Sequence, residues 1–130
     1  MSHSRVQQAA NLNALRGLNL ELAIYSSNPG PSDSGTEMTS SGGYARQTIA
    51  FGVPQTESDG TYILNSALVS FPTASGDWSA VASHYGIREV GGSLRNYGPL
   101  QELGVDTTRS VRTGDTFRVA PNTLKVKEFD

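Results

Sequence analysis

The sequence predicts a mainly β protein: an antiparallel β-sandwich or jelly-roll-like domain of about seven or eight short strands, preceded by a short helix. Three observations predict it. Apolar and polar residues alternate in short runs such as LNLELAIY and TLKVKEF. Turn formers separate those runs, and the chain holds 14 glycines and 6 prolines. A single stretch, near the N-terminus, keeps a helical pattern.

That stretch is Ser4–Arg16, which Ser4 can cap and Gly17 can end. Val6, Ala9, Ala10 and Asn13 make a weak stripe on it, so the helix must dock on its own domain or on a neighbour. Residues 1–17 are read as an N-terminal arm or helix, and 18–130 as the β domain.

From Leu18 the period changes to two. Leu18, Leu20, Leu22 and Ile24 share one face, and Asn19, Glu21 and Tyr25 the other, which predicts a half-buried strand. Ser26–Gly43 is a long loop of turn formers, and a loop beyond ~12–15 residues in a small domain is usually functional or disordered. Alternation resumes over Ala45–Phe51. Asp59-Gly60 predicts a type I′ hairpin leading into a strand over Thr61–Phe71. Ala80–Val90 and Ser93–Leu100 flank Gly91-Gly92, a second hairpin signal. Thr113-Gly114-Asp115 and Pro121-Asn122 turn the chain into the last two strands.

Composition narrows the function. The net charge is −2, with 10 basic and 12 acidic residues and no basic run, which disfavours nucleic-acid binding. No cysteine is present, so disulfides, zinc thiolates and cysteine nucleophiles drop out. No apolar run reaches the ~18 residues of a membrane helix, and the N-terminus lacks the apolar stretch of a signal peptide. Phosphate-loop, dinucleotide, zinc-protease and EF-hand motifs are absent. No cofactor or metal is expected.

His84 could act as a general base with Asp77 or Glu89, but no nucleophile motif accompanies it, and an ordinary strand histidine is the preferred reading. His3 lies near the terminus. Glu37, Asp59, Asp77 and Asp115 could be paired as glycosidase carboxylates; three lie in predicted turns, where aspartate bonds local backbone. Calcium in the Asp33–Glu37 loop is the weaker alternative to a solvated loop. Trp78 could stack on a sugar or anchor packing, and packing is preferred.

The spacing of the whole carries more. It runs Leu12-x-x-Leu15-Arg16-Gly17, Tyr25-x-x-x-Pro29-Gly30, Gly35-Thr36-Glu37, GGYARQ at 42–47 and GDW at 76–78. HYGI at 84–87, YGPL at 97–100 and TGDTF at 113–117 follow. The pattern, from about Leu15 to Val126, resembles a family of small tailed-phage virion structural proteins described as tail, minor tail, fibre or head-decoration proteins. Arg88-Glu89-Val90 and the polar stretch Gln101–Arg112 depart from it.

The resemblance implies a non-enzymatic virion protein, assembled in the bacterial host cytoplasm and oligomeric. A homotrimer that decorates and cements the capsid is the first expectation. A minor tail, tail-tip, fibre or adaptor component is the alternative, with partners among the major capsid or tail proteins. It also suggests that Arg46 folds back onto Glu37 to pin the long loop, or else reaches across a subunit boundary; pinning is preferred. Val6, Leu12 and Leu15 of the arm, with Tyr44, Trp78, His84, Tyr85 and Tyr97, are the further structural or interface candidates. Tyr44, Tyr62, Trp78, Tyr85 and Tyr97 are the aromatics that would line a groove if a host glycan were bound.

Overall fold

The computed structural model describes residues 4–102 and 105–129. It is mainly β, with one helix, α1 (Arg5–Arg16), and eleven short strands among the described residues. These are β1 (Leu20–Tyr25), β2 (Gln47–Ile49), β3 (Gln55–Glu57), β4 (Gly60–Leu64), β5 (Val69–Ser70) and β6 (His84–Glu89). The rest are β7 (Leu94–Pro99), β8 (Gln101–Glu102), β9 (Val105–Asp106), β10 (Arg118–Val119) and β11 (Lys125–Phe129). A four-stranded sheet runs β2-β1-β6-β7, and a three-stranded sheet β11-β4-β3. The pairs β10-β5 and β8-β9 complete the fold. Every strand pair is antiparallel.

One core fills the space between the sheets. Leu20, Leu22, Ile24, Ile49 and Ile87 come from the first sheet, and Ile63 and Val126 from the second. Phe71, Trp78, Val111 and Phe117 come from the segments between. Two backbone hydrogen bonds stitch the sheets where they meet: Gly52 N to Leu64 O, 2.8 Å, and Ser66 N to Ala50 O, 3.0 Å.

The helix begins as expected, with Ser4 Oγ accepting from Gln7 N at 3.2 Å, and ends at Gly17. Its buried face is different. Gln8, Leu12 and Leu15 face inward, and Val6 is 81% exposed. The expected stripe through Val6, Ala9, Ala10 and Asn13 loses because two leucines one turn apart offer far more apolar area than alanines. Gln8 is tolerated in the core because Thr61 Oγ1 donates to its Oε1 at 2.7 Å. The helix therefore lies on β4 and β11 of its own chain.

Three strand expectations need correction. The run Thr61–Phe71 is broken at Asn65, a fully buried residue whose side chain bonds four backbone groups. Its Nδ2 donates to Ala67 O and Ala120 O, and its Oδ1 accepts from Thr123 N and Leu124 N. The chain turns there, and β4 and β5 join different sheets. Ala80–Val90 shortens to β6, with Ala82 making only an isolated bridge to Arg109. The β3–β4 hairpin exists, but Glu57 pairs with Gly60, so its loop is Ser58-Asp59 and neither Asp59 nor Gly60 has a positive φ. Gly60 is needed for a different reason: a Cβ there would collide with the Glu128 carbonyl of β11. The Gly91-Gly92 hairpin forms as expected, with Gly91 at φ 71°.

Candidate functional site

The face of β1 that points away from the core carries Glu21, Ala23 and Tyr25. In register beside them on β6 stand Arg88, Gly86 and His84. Gly86 leaves the room that the Tyr25 ring fills: a Cβ there would come within 2.6 Å of Tyr25 Cε1 and 2.8 Å of Leu94 Cδ1. Tyr25 is 2% exposed, so this face is covered too, not solvated as a half-buried strand would be.

The cover is the long loop after β1, which is built rather than loose. Ser26 N donates to Thr36 O at 2.8 Å and Met38 N to Ile24 O at 2.9 Å, so the loop closes on its own base. Within it, Thr36 N donates to Ser27 Oγ at 2.8 Å and Ser34 N to Pro29 O at 2.8 Å. Pro29 and Met38 are buried beneath it.

Two arginines clamp the loop. Arg46, just before β2, donates to Glu37 from Nε at 2.9 Å and from Nη2 at 2.7 Å, a bidentate pair. Its Nη1 reaches Glu21 of β1 at 3.1 Å. Tyr44 Oη donates to Glu37 Oε2 at 2.7 Å and accepts from Ile24 N at 3.0 Å. Burial pushes the Glu37 pKa up, but the hydrogen bonds from Arg46 and Tyr44 outweigh it and hold the carboxyl below its ordinary range. Those bonds from Glu37 raise the Arg46 pKa against the opposing effect of burial. Burial, with Glu37 adding to it, raises that of Tyr44. Arg88 is the second clamp: its Nη1 donates to Asp33 at 2.8 Å and to Tyr25 Oη at 2.9 Å. The hydrogen bond from Arg88 lowers the Asp33 pKa.

The other quoted motifs meet around this clamp. Gly42 and Gly43 take φ of 72° and 83°. Gly42 lies so close to the Gly76 carbonyl that no Cβ would fit, and Ser75 N donates to Gly42 O at 3.1 Å. GGYARQ is thereby docked on GDW. The Tyr44 ring packs edge-on to Trp78 at 5.1 Å and stacked on Phe71 at 5.9 Å, and Trp78 stacks on Phe117 at 5.5 Å. In HYGI, Tyr85 and Ile87 face the core. In YGPL, Gly98 gives the Tyr85 ring its space, since a Cβ would stand 2.9 Å from Tyr85 Oη. In TGDTF, Asp115 Oδ2 accepts from Arg112 N at 3.1 Å and Phe117 enters the core.

The residues weighed for catalysis do not converge. His84 is half-buried, with its Nδ1 2.8 Å from Ser83 Oγ. Its two proposed partners are engaged elsewhere, Asp77 with Thr113 N at 3.0 Å and Glu89 with Arg95 at 2.7 Å. Asp59 pairs with Lys127, and Asp33 and Glu37, the carboxylates of the calcium reading, each hold an arginine. Among the described residues no cluster of His, Cys, Asp or Glu could hold a metal ion, and no helix is long and apolar enough to cross a membrane. His3 falls outside the described residues.

The five aromatics do not line a common groove. Tyr44, Trp78 and Tyr85 are buried, Tyr62 lies under Lys125 Nζ at 4.4 Å, and Tyr97 stands exposed on β7. Leu12 and Leu15 belong to the core, whereas Val6 is open to solvent. Sequence reasoning missed Arg88, seen there only as a departure from the pattern, and the buried polar pair Gln8 and Thr61.

Each charged group at the centre of the clamp is matched by another. No curated protein and no solved structure matches the chain. A family model described as podophage GP4 fiber I protein gp80 matches residues 9–127. With nearly its whole length so matched, the chain belongs to the podophage GP4 fiber I protein gp80 family and is a phage virion structural protein.

Proposed function

We propose that this protein is a fibre or tail component of a podophage virion, acting as a rigid connecting module and not as a catalyst. The observation that carries the reading is the match over residues 9–127 to a family described as fiber I. It supports the tail-and-fibre alternative over capsid decoration. The fold is consistent with it: a module that transmits position needs fixed loops, and the long loop here is held by two arginines, one entering β2 and one on β6. A homotrimer remains part of the proposal. Exposed Val53, Leu68, Val81 and Val105 offer apolar surface for contact with other copies or with tail proteins.

The test is copy number per virion, by quantitative mass spectrometry against the major capsid protein. A few to a few dozen copies are expected. Hundreds would overturn the fibre reading and favour the shell. Light scattering on the purified protein gives the oligomeric state, and a monomer at micromolar concentration would remove the trimer.

A further inference from the structure

The basic side chains that follow the helix fall into two groups. Arg46, Arg88, Arg95, Lys125 and Lys127 each face a carboxylate within 3.1 Å. Among the described residues, Arg109, Arg112 and Arg118 form no ion pair, and all three lie in the last third of the chain.

Two of these arginines line the same cleft, of about 120 Å³. Arg109 and Arg118 stand on it, with Leu100, Val119 and Leu124 as its half-buried apolar wall. Arg109 is held by its guanidinium lying over the Phe117 ring, 5.1 Å from the centroid. The backbone beneath is fixed as well: Arg109 N donates to Ala82 O and Thr107 N to Leu100 O, both at 2.8 Å. Gln101 donates its Nε2 to Asp106, which leaves its carbonyl oxygen free to accept. Thr107 and Thr123 add hydroxyls at the rim.

We propose that this cleft binds the carboxylate-bearing sugar of an acidic polysaccharide on the host surface. Two guanidiniums supply fork-shaped donors for a carboxylate. The apolar wall suits the C–H face of a pyranose ring, and the amide and hydroxyls suit its hydroxyl groups. A cleft volume of about 120 Å³ is on the scale of one sugar ring, which favours a sugar over an extended acidic peptide. The absence of a basic run argues against nucleic acid. That the polysaccharide belongs to the host rests on the fibre reading; the binding itself does not.

The test is calorimetric titration of the full chain with oligogalacturonate, a neutral oligosaccharide of equal length, and a hexaglutamate peptide. Oligogalacturonate is expected to bind, more weakly as salt rises, and the neutral sugar not to bind. Arg118→Gln removes an exposed, unpaired side chain, so the fold should survive. It should weaken binding about tenfold, the scale of one lost charge-assisted contact. Arg109→Lys should weaken it with the charge retained, because the fork is lost. Arg95→Gln, on β7, should leave it unchanged. No binding of oligogalacturonate, or equal loss in Arg95→Gln, would overturn the site. Tighter binding of hexaglutamate would overturn the sugar assignment. Virion copy number is measured separately, so a failed fibre reading and a failed binding site are told apart.

Discussion

Arg46 is where local chemistry and loop order meet. Replacing it with alanine removes three hydrogen bonds and leaves the Glu37 carboxylate half-buried beside Tyr44. The expected loss is about 1–2 kcal/mol, below that of a fully buried pair because the arginine is one-third exposed. Chemical denaturation measures it, and limited proteolysis should show faster cleavage between Ser26 and Gly43. Unchanged cleavage would show that the pair does not hold the loop. The same carboxylate sets a pH dependence. Its pKa is lowered on folding, so its stabilisation is present above the ordinary glutamate value of about 4.3 and is lost as pH falls through the lowered one. Wild-type urea midpoints should therefore drop more steeply between pH 5 and 3, both set here by the experimenter around that value, than those of Glu37→Gln.

At the scale of elements, the glycines that let strands and loops approach are the sensitive points. Gly86→Ala would push into the Tyr25 ring and Leu94, and overpacking of this kind costs about 1–3 kcal/mol, read as a lowered melting temperature. Leu12→Ala opens a gap between α1 and the core and should cost about 2–5 kcal/mol by the same measurement. Val6→Ala should cost almost nothing, since Val6 is exposed.

What the sequence made legible was local. Alternation over 18–25 located β1, and Gly91 located the β6–β7 turn, because both signals depend on neighbouring residues. The break at Asn65 was hidden because its partners, Ala120, Thr123 and Leu124, lie some sixty residues on. The helix face was misjudged because burial of Gln8 depends on Thr61, on another element. The site divides the same way. Glu37 and Arg46 are nine residues apart, within reach of a local reading, but Arg88 and Asp33 are 55 apart and no pattern joins them.

For the whole molecule, the short motifs picked out in the sequence are those that hold its parts together. GGYARQ rests on GDW, Tyr25 on Gly86, and Tyr85 on Gly98. Such residues fix shape. The prediction at this scale is structural and collective: a fibre-level copy number, and one cooperative unfolding transition with loop and sheets melting together. A separate early transition would mean that the loop is not part of the folded unit.

The double clamp also bears on mechanical load. Glu37 ties the loop to Arg46 in the segment entering β2, Arg46 in turn reaches Glu21 of β1, and Asp33 ties the loop to β6. A tug on the loop is shared by three adjacent strands at once. Their ladder bonds then resist together in shear, where a loop joined only at its ends would let the sheet be peeled apart one bond at a time.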